Sequence, residues 1–160
     1  MKKLLTSILT MTTLIGSLNA SATEADVESL IGGTVKVTED FTVDGHSEFI
    51  TFKFGRTYST ELSYWRETTC VMVLKQPFYE DKTFLAQDKS YLIEDVKMIK
   101  NEYSSYYNFT AHITLKNVKN ISHITCKKNG YTKFGVESIR SAFGEYLEFN
   151  YPEQDFDGSL

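Results

Sequence analysis

Phe109-Thr110-Ala111-His112-Ile113-Thr114-Leu115-Lys116 alternates apolar and polar side chains without a break. Successive side chains of an extended chain point to opposite sides. The pattern therefore puts Phe109, Ala111, Ile113 and Leu115 on a buried face and Thr110, His112, Thr114 and Lys116 toward solvent. This is a half-buried strand, the unit of an antiparallel sheet with one wet side. Upstream, Tyr91 to Lys100 reads as a partner strand through Leu92, Ile93, Val96 and Met98. Downstream, an Asn-rich link leads to a strand from Ile121 to Lys127, and Asn129-Gly130 is a turn signal. Thr69 to Lys75 carries the apolar run Cys70-Val71-Met72-Val73-Leu74, which reads as a central strand stopped by Gln76-Pro77.

Strand signals also fill the first half. Thr34 to Thr38 alternates, as does Phe41 to Val43. Asp44-Gly45 is a hairpin pair, answered by Glu48 to Phe54 with Ile50, Phe52 and Phe54 on one face. Thr57 to Trp65 is a further candidate strand, and residues 78–89 read as a loop or a short edge strand. Helical spacing occurs twice. Val27, Leu30 and Ile31 predict a short helix over Glu24 to Ile31, closed by Gly32-Gly33. Val136, Ile139 and Phe143 predict another, ended by Gly144. Tyr146 to Tyr151 is expected to form the last strand. The expected fold is mainly β: an antiparallel sandwich or meander barrel of about eight strands, with a short N-terminal and a C-terminal helix.

The N-terminus reads as an export signal. Lys2 and Lys3 precede an apolar run of fifteen residues, Leu4 to Leu18. Ala20 and Ala22 then set small side chains where a signal peptidase needs them, so cleavage after Ala22 is expected. The run is too short and too Thr-rich to span a bilayer comfortably. Residues 1–22 are thus a signal peptide and 23–160 a single β-rich domain. Its tail from Pro152 is acidic and expected to fray. Loss of the two lysines takes the formal charge from −4 to about −6, which disfavours nucleic acid and anionic membrane as partners. Two cysteines, Cys70 and Cys126, in an exported chain predict one disulfide.

Searching for chemistry gives little. His123-Ile124-Thr125-Cys126 has metal-ligand spacing, but the disulfide would consume Cys126, so no metal site is expected. The chain holds no G-x-S-x-G, no H-E-x-x-H and no phosphate-cradling glycine loop, and no cofactor is implied. Glu39-Asp40, Glu80-Asp81 and Glu94-Asp95 are adjacent pairs, so their side chains diverge on a strand and do not make a dyad. Residues 153–158 echo the opening of a calcium loop, but the chain stops before a bidentate ligand. Tyr103, Tyr106 and Tyr107, beside Ser104, Ser105 and Asn108, form a candidate binding patch.

Three likenesses accompany this reading. Leu30-Ile31-Gly32-Gly33-Thr34-Val35 before a strand meander and a late helix resembles the outline of a lipocalin-type barrel, with Val35 where that family has Trp. Val43-Asp44-Gly45-His46-Ser47-Glu48-Phe49-Ile50-Thr51-Phe52 is similar to the first strands of YceI-like periplasmic lipid-binding barrels. The layout of signal peptide, Cys70 strand, Cys126 strand and Phe134-Gly135-Val136 before a helix resembles small exported bacterial proteins of uncharacterised function. The barrel likenesses imply an apolar-ligand carrier. The expected function is a non-catalytic envelope or secreted binding or structural domain, periplasmic or extracellular, with a protein, glycan or small apolar ligand as partner. The alternatives are the carrier and a secreted hydrolase using His112 or His123.

Overall fold

The computed structural model describes residues 26–86 and 90–152. The expected signal peptide with Ala20 and Ala22, the first residues of the expected N-terminal helix and the tail from 153 lie outside the described residues. The fold is mainly β, with one α-helix near the C-terminus. Its strands are β1 (Thr34–Val37), β2 (Phe41–Val43), β3 (Phe49–Lys53), β4 (Arg56–Tyr58), β5 (Thr69–Leu74), β6 (Lys82–Phe84), β7 (Ser90–Tyr103), β8 (Tyr106–Leu115), β9 (Ile121–Gly130) and β10 (Leu147–Asn150). The helix α1 spans Val136–Phe143. Eight strands form one antiparallel half-barrel in the order β10-β1-β7-β8-β9-β5-β3-β4, and β2 pairs with β6 apart from it.

The alternation in β8 is realised as read. Ala111 and Ile113 are fully buried and Leu115 nearly so, while His112 and Thr114 stay half-exposed. β7 and β8 pair along most of their length, from Ile93 opposite Leu115 to Tyr103 opposite Tyr106. The central strand β5 lies between β3 and β9. There Cys70 faces Cys126 directly, with Cα atoms 4.0 Å apart, and the two form the disulfide. Helix α1 packs on β3 and β5 and also on β10, which stands at the other end of the strand order. Its apolar stripe, Val136, Ile139, Ala142 and Phe143, therefore closes the open side of the half-barrel. Phe143 meets Phe52 at 4.7 Å and Phe149 at 5.4 Å between ring centroids. Fully burying side chains of this size contributes about 1.5–3 kcal/mol each.

Several local expectations are corrected. The N-terminal helix is a 3-10 turn, Val27–Leu30, that sends Val27 and Leu30 into the core. Gly33 follows it where a Cβ would lie 2.1 Å from the Asn150 carbonyl oxygen, so only glycine fits. Asp44-Gly45 does turn the chain, but not into a β2–β3 hairpin. The Gly45 amide donates to Asp81 Oδ1 and the His46 amide to the Phe78 carbonyl. Phe41 stacks on Phe84 at 4.9 Å, and these contacts hold β2 against β6.

Phe54 leaves the face of Ile50 and Phe52. With Gly55 it makes a two-residue turn in which both residues have positive φ, 53° and 65°, and it is 60% exposed. The cause is tertiary: the Gly55 amide donates to the Ala142 carbonyl, and Gly55 packs backbone to backbone on Gly144 at the end of α1. The strand expected through Trp65 stops at Tyr58. Asn129 and Gly130 continue β9 instead of turning it, opposite Asn108 and Tyr107. Tyr151 lies beyond the last strand and is exposed. Among the described residues no helix is long and apolar enough to cross a membrane.

Candidate functional site

One face of the half-barrel is filled by the core and α1. The outer face is organised by register into rows that cross the strands. Thr51, Val71, Thr125, His112 and Lys97 form one row over β3, β5, β9, β8 and β7. Lys53, Thr69, Lys127, Thr110 and Ile99 form the next in strand order. Asn129, Asn108 and Asn101 come two residues further along, and Tyr106 faces Tyr103 at the tip.

Residues 59–67 lie as a strap over part of this face. The Ser63 carbonyl accepts hydrogen bonds from Lys53 Nζ and from Thr69 Oγ1. The Asn129 amide donates to the Tyr64 carbonyl, and the Arg66 amide donates to the Asn129 carbonyl. Lys127 Nζ sits over the Tyr64 ring at 5.7 Å. Thr51 and Thr69 are buried although both stand on the outer side.

The strap delivers Trp65 to the aromatic tip. Trp65 bridges to Asn129, and its ring lies 5.1 Å from Tyr106 at 70°. Tyr106 in turn stacks on Tyr103 at 4.7 Å and 16°. Trp65 is 44% exposed and Tyr103 50%. Tyr131, exposed, follows Gly130 at the same end of the sheet. Beside the rings, Asn108 Nδ2 donates to Asn129 Oδ1 at 2.6 Å, while Asn101 is open to solvent.

The predicted tyrosine patch is thus divided. Tyr103 and Tyr106 stand together on the outer face, whereas Tyr107 points the other way, half-buried, with Lys100 Nζ 4.3 Å from its ring and Phe109 beside it. Adjacent residues on a strand must diverge in this manner. Asn108 was already placed beside the patch, whereas Trp65, Asn101 and Asn129 were missed because only the register brings them to it.

A cleft of about 240 Å³ lies between the strap and the sheet, lined by Glu48, Phe49, Glu61, Val71, Val73, His112, Thr125 and Lys127. His112 Nδ1 is 3.0 Å from Thr125 Oγ1. His123 is on the same face, its ring 6.0 Å from that of His112, and its Nδ1 bonds Ser122 Oγ. Burial holds the His112 imidazole below its ordinary value, and His123, Lys127 and Lys97 push it the same way. Glu48 and Glu61 line the same cleft, yet what acts on the imidazole is burial and the neighbouring His123, Lys127 and Lys97.

The remaining site candidates have structural positions. Cys70 and Cys126 are fully buried in the disulfide, and no free cysteine accompanies them. Asp81 and Asp40 each accept a backbone amide, from Gly45 and from Ala86. A carboxyl pair the sequence did not reveal joins Glu39 to Glu145, whose hydrogen bond raises Glu39 above the usual carboxylate range. Among the described residues no three His, Cys, Asp or Glu side chains gather so as to hold a metal ion. No family model, curated protein or solved structure matches the chain.

Proposed function

We propose that the chain is exported, loses residues 1–22, and acts outside the cytoplasm as a non-catalytic binding domain of the envelope or the surrounding medium. The leader with Ala20 and Ala22 supports export. The Cys70–Cys126 bridge agrees with it, because such bonds persist in oxidising compartments. The observation that carries the binding role is the aromatic tip. Trp65, Tyr103 and Tyr106 are packed on one another, with Trp65 and Tyr103 exposed and Tyr106 half-buried between them. Aromatic rings among Ser and Asn supply rigid contact area and adaptable hydrogen bonding, the combination binding surfaces use.

A pull-down from envelope extract with the oxidised protein tests this. Retention of a component that is lost with Trp65→Ala plus Tyr106→Ala, in a variant that keeps its thermal unfolding temperature, is the expected result. Equal retention by both proteins overturns it. The exported protein should begin at Thr23; full-length protein confined to the cytoplasm would contradict export.

One observation favours a second reading. The His112–Thr125 contact in the cleft is the geometry a hydrolase using His112 would need. Ester hydrolysis abolished by His112→Ala would establish it. A carrier of apolar ligands within the barrel would have to displace the Phe52–Phe143–Phe149 packing.

A further inference from the structure

The outer-face tip carries two parallel rows across the same three strands. Trp65 beside β9, Tyr106 on β8 and Tyr103 on β7 make an aromatic row, with centroid spacings of 5.1 and 4.7 Å. Asn129, Asn108 and Asn101 make an amide row next to it. Neighbouring strands are about 4.8 Å apart, so each step along either row is about the length of one pyranose unit. The six side chains carry no charge. The Asn108–Asn129 bond uses one donor and one acceptor of this half-buried pair, so amide groups remain on both, and Asn101 is exposed.

The chemistry of the rows selects among ligands. An apolar molecule laid on the tip would strip water from the amides and return no hydrogen bonds, a cost for every group left unpaired. A charged ligand would find no counter-charge among the six. A chain of neutral sugars offers what both rows lack: hydroxyls that donate to and accept from the amides, and C–H surfaces that pack on the exposed rings of Trp65 and Tyr103. Trp65 is turned at 70° across the stacked tyrosines, so the tip presents ring surface in two orientations.

Building on its role as a binding domain, we infer that the chain binds a neutral oligosaccharide, laid across β9, β8 and β7 between the aromatic row and the asparagine row.

Trp65 is the chain's single tryptophan, so its emission reports on this site alone. The experiment titrates the oxidised protein with neutral hexasaccharides built from glucose, N-acetylglucosamine, mannose and galactose, following Trp65 fluorescence. The expected result is a saturable change with at least one of them. Its midpoint should be unchanged at an ionic strength of about 1 M, where charge–charge attraction is screened.

Calorimetry should show Tyr106→Ala weakening that sugar about tenfold. Asn108→Val should weaken it roughly fivefold. Tyr79→Ala, which removes a fully exposed ring elsewhere, should leave it unchanged. Variants are compared only where the thermal transition shows the fold intact, and Tyr106→Phe should restore binding to within about twofold.

Silence of Trp65 toward every sugar overturns the inference. If envelope retention still depends on Trp65 and Tyr106, binding stands and the ligand is a protein. If retention is also insensitive to them, both readings fall. A midpoint that moves with salt overturns the neutral-ligand assignment.

Discussion

Phe52, Cys70, Cys126 and Ala111 lie in register across four strands of the inner face, each with no exposed surface. One residue back on the first and third of these strands and one forward on the second and fourth, the outer face carries Thr51, Val71, Thr125 and His112. The same backbone ladder supports both rows, yet they are covered differently. Core side chains and α1 close over the first, held by area and shape. Residues 59–67 run beside the second and leave a cleft at Val71, Thr125 and His112, held by a few hydrogen bonds at Lys53, Thr69 and Asn129. The inner row is where stability resides, and the outer row is where the surface is free to recognise something.

The difference in cover sets an order of effects. Phe52→Ala should cost about 3–5 kcal/mol, because Phe41, Phe143 and Tyr146 pack on that ring and cannot collapse into its place. Val71→Ala, on the half-buried outer row, should cost well under half as much in the same urea titration. Equal costs would erase the distinction between the faces. Replacing both cysteines by Ala should cost about 4 kcal/mol, since the bridge closes a loop with a sequence separation of 56. The loss should be in the unfolding midpoint while the far-ultraviolet spectrum is kept.

Two smaller effects sharpen the outer row. Thr51 Oγ1 is buried on the outer side without a hydrogen-bond partner. Thr51→Val should therefore stabilise the protein by about 1 kcal/mol, where a hydroxyl lost from a satisfied site would destabilise it. His112 titrates below its ordinary value of 6.5 in the fold. Just below that pH the unfolded chain takes up a proton that the folded chain does not, so stability should fall as pH drops through this window. His112→Gln should flatten that part of the stability–pH curve, and a curve of unchanged slope would contradict the burial argument.

These faces also explain what was legible in the sequence. The alternation of Phe109 to Leu115, the dense run around Cys70, the paired cysteines and the Val136-Ile139-Phe143 spacing each record a local choice of inside against outside. The structure follows them. Phe54 broke its own alternation because Gly55 and Gly144 meet, a contact ninety residues apart in the chain that no local pattern encodes. Asp44-Gly45 carried a sound turn signal but could not say that Asp81 and Phe78 would capture its amides. The tyrosine patch is split, since proximity in sequence grouped Tyr107 with Tyr103 and Tyr106 while strand parity sent it to the other face. Trp65 sat in what read as a strand and Asn129 in what read as a turn, and neither was joined to Asn101 and Asn108 until register aligned them. Periodicity reveals which side a residue takes; it does not reveal its neighbour across the sheet.

The most direct test of this account is an amide chemical-shift map of the nitrogen-15-labelled, oxidised protein, recorded as the neutral sugar that changes Trp65 emission is added. The account predicts shifts confined to Trp65 and its strap, to residues 101–108 and to residues 129–131, with β1, β10 and α1 unmoved. Shifts centred on α1 and the Phe52–Phe149 packing, with the tip silent, would contradict it.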